Sequence, residues 1–174
     1  ATVTGGPTVY DVSVAGMAQG ILTASIPAGA ATDEVGFTNT ASTSTDNSVL
    51  YDTVLPTVTV NQEASQVDPT NTSPIYFTVV FSEPVTGFTS SDMIPTGTAA
   101  PTTATVVSGS GTTYTVAVSG MAANGTVILT VPANVAQDAT GNNNTASTSN
   151  DNVVTYDTVR PTVTINQAVG QADP

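Results

Sequence analysis

The chain has 174 residues, with 13 acids, one base (Arg160), no histidine and no cysteine. Faces of Lys and Arg bind nucleic acids and anionic membrane surfaces, so this charge excludes both as partners. The missing His and Cys exclude zinc-finger sites, thiol chemistry and a histidine general base. No apolar run of about 18 residues is present, so we predict no direct insertion into a membrane.

Valine and threonine are abundant, and 14 Gly and 11 Pro interrupt them. β-Branched residues fit the pleat of a strand and Gly and Pro favour turns, so we predict short strands joined by many turns. Two carboxylates can hydrolyse glycosides without histidine, but the chain has no Trp and few aromatic residues to line a sugar cleft. No nucleophile–base pair is evident, and we predict that the chain is not an enzyme.

The chain repeats itself with a period of about 105 residues. The segment beginning at Tyr51, YDTVLPTVTVNQ, returns at Tyr156 as YDTVRPTVTINQ, and residues 10–17 match residues 114–121 at an offset of 104. A fixed period over this length indicates tandem domains, and the period is the size of one β-sandwich.

The repeat divides the chain into three parts. Residues 1–53 are predicted to be the C-terminal half of one domain (strands D–G), residues 54–158 a complete domain, and residues 159–174 the first strand of the next. Neither end part has enough strands to close a core. This pattern fits an arbitrary cut from a longer chain; the alternative is a fibre in which a strand of another copy completes each half.

Alternating apolar residues predict seven short strands in the complete repeat. In chain order these are A (57–62), B (75–82), a weak C after Asp92, D (104–107), E (113–119), F (126–131) and G (153–156). No stretch has a helical period. Seven strands in about 100 residues predict an all-β fold of immunoglobulin-like β-sandwich repeats in tandem.

Three segments of this repeat resemble the bacterial Ig-like repeats of large surface proteins and adhesins. They are residues 81–92 (FSEPVTGFTSSD), 122–132 (AANGTVILTVP) and 138–144 (DATGNNN), and residues 156–162 (YDTVRPT) resemble the linker between such repeats. The resemblance covers essentially the whole chain. It implies an extracellular, surface-anchored stalk or filament whose domains are joined end to end and often rigidified by calcium.

Acids collect at one end of the predicted sandwich. In an Ig-type topology the B–C and F–G loops share the pole where strand A begins, which we call the linker pole. Asp52 lies in the incoming linker, Glu83 closes strand B, Asp92 ends the B–C loop and Asp138 opens the F–G loop. The other candidate ligands lie in the F–G loop and at the two ends of strand G: Asn142, Asn144, Asp151 (predicted at the same pole) and Asp157.

These oxygen donors predict a Ca²⁺ site at each domain junction. Ca²⁺ takes about six to eight oxygens, and a site without His or Cys suits a hard divalent ion. Asp52, Glu83 and Asp138 are the expected charged ligands, and Gly141 permits the tight loop. The alternative is that Asp-x-x-Gly-Asn is simply a turn, since these residues favour turns and the spacing is not that of an EF-hand.

The equivalent loop of the first copy differs in its sequence. It runs from Asp33 to Asn39, with Glu34 added and Phe37 in place of Asn142, so that junction is expected to bind differently or not at all. Asp68 and Asp173 lie in the A–B turns, at the opposite pole, and either contribute ligands to a neighbouring junction or form ordinary turns.

Three functions fit these features: a structural stalk or filament, a fibre subunit assembled by strand complementation, and a ligand-binding or accessory module of a larger secreted protein. The expected partners are neighbouring repeats of the same chain or, in the fibre alternative, other copies of the chain. The expected location is extracellular, on a bacterial cell surface.

Overall fold

The computed structural model describes residues 1–172 and Pro174, and it is almost entirely β. The only helix among these residues is one turn of 3₁₀ helix at Ser90–Asp92. Nothing in the described part of the chain forms a helix long and apolar enough to span a membrane.

The first part of the chain forms two separate antiparallel pairs of strands. Strand β1 pairs with β2, and β3 pairs with β4. Their bounds are β1 Thr2–Gly5, β2 Tyr10–Ser13, β3 Gly20–Thr23 and β4 Ser48–Tyr51.

Seven further strands form two antiparallel sheets. Their bounds are β5 Val58–Gln62, β6 Ile75–Phe81, β7 Ile94–Thr96, β8 Thr103–Ser110, β9 Thr113–Ser119, β10 Gly125–Thr130 and β11 Val153–Tyr156. One sheet has the order β5-β6-β9-β8 and the other β11-β10-β7. With β5 to β11 as strands A to G, these are the ABED and CFG sheets of the Ig constant-type sandwich. The predicted fold class is confirmed; strand C is short, and strand D is longer than expected.

The core lies between these two sheets, and the period-2 pattern of each strand builds it. In β6 the buried side chains are Ile75, Phe77, Val79 and Phe81, which alternate with more exposed positions. The other sheet contributes the fully buried pair Val127 and Leu129 on β10. Every second residue of a strand faces one side, so one face of each sheet is apolar.

Three aromatic rings close the core beneath the linker pole. Phe81, Phe88 and Tyr114 pack edge to face, with ring centroids 4.9 to 6.0 Å apart. Such T-shaped contacts stabilise beyond simple burial, so the loop that carries Phe88 is anchored to the core.

The connection between β10 and β11 ties the two sheets together at one edge. Residues 145–151 run parallel to β5, with a bridge between Thr59 and Thr148. Backbone hydrogen bonds follow this path, from Thr145 N donating to Pro56 O at one end to Gln62 N donating to Asp151 O at the other. The chain therefore leaves the linker pole before β11 begins.

The strands β1 to β4 correspond by the sequence repeat to β8 to β11, and they pair in the same way. Their apolar side chains nevertheless face solvent, since the described residues hold no equivalents of β5 to β7 for this part. Tyr10 is 57% exposed, whereas its counterpart Tyr114 is 8% exposed. Similarly, Val163 and Ile165 are exposed where the equivalent residues of β5 are buried.

Candidate metal centre at the linker pole

Three carboxylates from three different segments meet at the linker pole. Asp52, Glu83 and Asp138 each have one oxygen within 4.8 Å of the others. The fold explains the meeting of Asp52 and Glu83: β6 runs antiparallel to β5 with Phe81 opposite Val58, so β6 ends beside the point where the incoming linker enters β5.

The two loops that carry Glu83 and Asp138 are joined directly. Thr86 N donates to Gln137 O over 2.8 Å, and Gln137 N donates to Thr86 O over 3.0 Å. This pair of backbone bonds holds the B–C loop against the F–G loop. These backbone hydrogen bonds therefore fix the position of the Glu83 loop relative to the Asp138 loop.

Asp138 is buried and accepts hydrogen bonds at both carboxylate oxygens. Its Oδ1 accepts from Thr140 N, Thr140 Oγ1 and Asn142 N at 2.8 to 2.9 Å, and its Oδ2 accepts from Asn142 Nδ2 at 2.9 Å. Burial acts to raise the pKa of Asp138, but the bonds from Asn142 and Thr140 outweigh it and lower the pKa to about 2. Asp138 is thus an anion at any physiological pH.

The local sequence forms this loop through a turn around Asp138. Asp138 N donates to Asn142 O over 3.1 Å, and Gly141 N donates to Asp138 O over 3.3 Å. Gly141 has a φ of +89°, a conformation that side chains strongly disfavour, so glycine is required there. Gly141 thus has the role predicted for it.

Asn142 acts as a donor to this cluster. Its amide nitrogen lies 2.9 Å from Asp138 Oδ2 and 3.1 Å from the backbone oxygen of Asp52. Asn142 was expected among the ligands, but the geometry turns its NH₂ group toward the acids. It positions Asp138 and fastens the incoming linker to the F–G loop.

Glu83 is the least satisfied member of the cluster. Burial first, and then the negative charges of Asp138 and Asp52, raise the pKa of the Glu83 carboxyl above its usual value, and within the described residues no hydrogen bond opposes them. The only base in the sequence, Arg160, follows the outgoing linker residue Asp157. A bound cation would relieve this repulsion.

Two predicted ligands are occupied by local structure. Asp92 accepts at Oδ2 from both Thr89 N and Thr89 Oγ1 and so caps the 3₁₀ turn. Asn144 is 1% exposed: its oxygen accepts from two backbone amides, and its nitrogen lies within 2.9 Å of two carbonyl oxygens. Both side chains hold loops in shape and do not join the three carboxylates.

Two other predicted ligands, Asp151 and Asp157, lie away from the linker pole. The placement of Asp151 at this pole is wrong: its backbone oxygen accepts from Gln62 N at the far end of β5, because residues 145–151 travel along that strand. Asp157 lies in the outgoing linker, where its backbone nitrogen donates to Thr70 O and its Oδ1 accepts from Val159 N. By the sequence repeat, Asp157 is the counterpart of Asp52.

Two polar side chains that organise the junctions were not predicted from the sequence. Thr140 donates twice to Asp138; the Asp-x-Thr spacing, typical of a turn in which the hydroxyl also bonds, was the available signal. Asn124 accepts from Thr158 N and Thr158 Oγ1 and anchors the outgoing linker, a long-range contact with no local signal.

The two acids predicted in the A–B turns were Asp68 and Asp173. Asp68 accepts from Thr155 N near the outgoing linker, and Asp173 lies outside the described residues.

The two sheets, with linkers at opposite poles, define an Ig-type domain. The family model of the bacterial Ig-like domain matches residues 52–155, more than half of the chain, and the chain therefore belongs to this family. Domains of this family are typically non-catalytic and are common in surface or extracellular proteins. No curated protein and no solved structure matches the chain.

Proposed function

We propose that the chain is a structural segment of a bacterial extracellular repeat protein, in which Ig-like domains are joined end to end as a stalk or surface filament. The observation that carries this proposal is the position of the two linkers. Asp52 enters beside Glu83 and Asp138, whereas Asp157 leaves beside Thr70 at the opposite pole. Domains linked in this way extend along one axis. The incoming linker (residues 53–56) ends in Pro56 and the outgoing linker (residues 158–161) ends in Pro161, and these prolines limit bending.

We further propose that Ca²⁺ binds at the linker pole. The donor set fits a hard divalent ion, because it consists of carboxylates and contains neither His nor Cys. Asp138 is held ionised, and the pKa of Glu83 is raised by burial first and then by repulsion from Asp138 and Asp52, which a cation would offset. Asp52, Glu83 and Asp138 would hold the ion, and the remaining oxygens would come from backbone or water.

Binding would couple the linker to the domain. Asp52 belongs to the incoming linker, while Glu83 and Asp138 belong to the sandwich, so an ion shared by all three bridges two parts that otherwise meet through few bonds. Loss of the ion would leave three like charges at the junction. The stalk would therefore be stiffer with calcium than without it.

Thermal unfolding of the full chain with calcium and with a chelator tests the metal site. An ion that binds only the native state at a hundredfold excess over Kd stabilises by about 2.7 kcal/mol, which corresponds to a rise in Tm of about 10 °C or more. Asp138→Asn should abolish the rise, whereas Asp11→Asn, which removes the same charge from exposed strand β2, should preserve it. An unchanged Tm of the natural chain on adding calcium would refute the site.

Small-angle scattering of chains that contain several repeats in tandem tests the stalk. The maximum dimension should grow by about one domain length with each repeat, and chelation should shorten it. A compact particle whose dimension does not grow with repeat number would rule out the end-to-end arrangement.

A further inference from the structure

The turn between β9 and β10 ends in the only Asn-Gly pair of the sequence, Asn124-Gly125. A bond between the backbone nitrogen of Gly125 and Cγ of Asn124 closes a five-membered ring. The two atoms belong to neighbouring residues, so they react without a diffusional encounter. Glycine also lacks a Cβ that would obstruct its nitrogen. The pair therefore has the covalent geometry for attack of the backbone on the side-chain amide.

The fold itself requires glycine after Asn124. Gly125 has a φ of +147°, and a Cβ on it would lie 2.2 Å from Thr98 Oγ1 and 2.9 Å from Ala99 N. The counterpart in the first part of the chain, Gly20, has a φ of +137°, but Gln19 precedes it instead of Asn. Glutamine would have to close a larger, six-membered ring. The first copy thus keeps the glycine without the reactive neighbour.

The outgoing linker polarises the side-chain carbonyl of Asn124. Its Oδ1 accepts from Thr158 N at 3.0 Å and from Thr158 Oγ1 at 2.8 Å. Two donors on one carbonyl oxygen stabilise the negative charge that develops there when a nucleophile attacks the carbon. Asn124 is exposed, and its side-chain nitrogen, the leaving group, makes no hydrogen bond within the described residues.

Water reaches the same side chain. An open cavity of about 280 Å³ lies between the β9–β10 turn and the outgoing linker, and its walls include Met121, Ala123, Asn124, Tyr156 and Thr158. Hydrolysis of a ring formed at this position therefore has its second reactant at hand.

We infer that Asn124 is a site of spontaneous covalent modification, at which the folded chain converts its own asparagine to aspartate and isoaspartate. Gly125 N bonds to Asn124 Cγ, and the amide NH₂ leaves as ammonia with the proton from Gly125 N, which gives a succinimide. Water then opens the ring at one of its two carbonyls. Cleavage at Cγ gives aspartate, and cleavage at the main-chain carbonyl gives isoaspartate, in which the backbone continues through Cγ.

The two products have different effects on the outgoing linker. Both place a new negative charge beside Thr158, next to Asp157 in the chain. Aspartate keeps side-chain oxygens that accept from Thr158. Isoaspartate lengthens the main chain by one methylene directly before β10 and moves the carboxylate away from Thr158. Formation of isoaspartate should therefore release the linker from the β9–β10 turn.

The test follows the natural chain by peptide mass spectrometry during incubation in mildly alkaline buffer, folded and, in parallel, unfolded in urea. In the folded sample Asn124 should lose its amide nitrogen before Asn71, an exposed asparagine followed by threonine. Asn124→Gln, which introduces the residue of the first copy, is the matched control and should stop the conversion at this position. Thr158→Val removes one donor to Oδ1 and should slow the conversion by up to about tenfold.

Each result decides one part of the inference. If Asn124 stays intact in the folded chain while the unfolded sample converts, the fold protects the residue and the inference fails; equal rates at Asn124 and Asn71 would also overturn it. A rate that is unchanged or higher in Thr158→Val would overturn the role of the polarised carbonyl. Hydrogen exchange at the Thr158 amide should speed up in the isoaspartate fraction, and unchanged exchange would overturn release of the linker.

Discussion

The side-chain amide of Asn142 donates to the backbone oxygen of Asp52 across 3.1 Å, and it joins residues 90 positions apart in the sequence. The same amide donates to the carboxylate of Asp138. One side chain thus ties the incoming linker, the F–G loop and the acidic cluster into a single unit. Substitutions within this unit, and in the sandwich that supports it, should have distinct and measurable effects.

Glu83→Gln should raise the Tm of the calcium-free protein by a few degrees at neutral pH. The folded-state pKa of Glu83 is raised, so protonated Glu83 favours the folded state. This contribution to stability is fully present below the unfolded pKa of 4.5 and is lost as the pH rises through the folded pKa. At neutral pH the ionised group repels Asp52 and Asp138, and glutamine removes that repulsion. Thermal melts in chelator from pH 4 to pH 8 measure the effect. A variant less stable than the natural chain throughout that range would contradict the electrostatic account.

Thr140→Val should raise the pKa of Asp138 from about 2 toward its usual value, because it removes one of the hydroxyl and amide donors to the carboxylate. Asp138 favours the folded state above its unfolded pKa of 3.8, and this contribution is lost as the pH falls toward 2. The variant should lose this stabilisation at a higher pH than the natural chain. Titration of the Asp138 carboxyl by NMR reports the pKa, and Thr148→Val, an exposed threonine beside β5, serves as the control. Equal titration curves would show that the hydroxyl does not matter.

Asn144→Ala should destabilise the fold by about 2–4 kcal/mol, since it leaves the part-buried amide of Val135 and the buried amide of Ala136 without their acceptor. Asn143→Ala, next in the chain and bonded to the exposed side-chain amide of Gln137, should cost less than about 0.5 kcal/mol. Urea unfolding measures both. If the two variants lose similar stability, the hydrogen bonds of Asn144 do not stabilise this loop more than those of Asn143.

Val116→Ala and Val12→Ala compare one strand position in two environments. Val116 is fully buried in β9, whereas its counterpart Val12 in β2 is 55% exposed. Loss of two methyl groups from the core should cost about 2–3 kcal/mol, and the same change at Val12 less than about 0.5 kcal/mol. Urea unfolding measures the loss of stability in each variant. A large loss in Val12→Ala would mean that the first part of the chain is packed in solution.

Much of the fold was predictable because its signals are local. The alternation from Ile75 to Phe81 identifies both the strand and its buried face without any knowledge of the partner strands. The loop from Asp33 to Asn39 gives the same lesson, because its backbone amides make the same hydrogen bonds to Asp33 that loop 138–144 makes to Asp138, although its surroundings are exposed. In these segments the signal lies within a few neighbouring residues, so the sequence alone reveals it.

The candidate site was predictable in part. The positions of Asp52, Glu83 and Asp138 followed from strand order, since Ig topology brings the ends of β6 and β10 to the start of β5. Asp151 was misplaced because residues 145–151 have no alternating pattern, and their path is set by long-range hydrogen bonds to the backbone of β5 and to the Asn61 side chain. No rule of spacing distinguishes Asn142, which faces the cluster, from Asn144, which is buried in its own loop.

The sequence by itself determined the period of the repeat, the strands, the turns and the acidic charge, because these depend on residue type and on neighbours within a few positions. Tertiary structure alone decided which polar groups meet: that Asn142 reaches Asp52, that Asn124 holds the outgoing linker, and that Glu83 lies beside two other acids with no hydrogen-bond donor among the described residues. These contacts join segments far apart in the chain, and their geometry depends on how the two sheets pack.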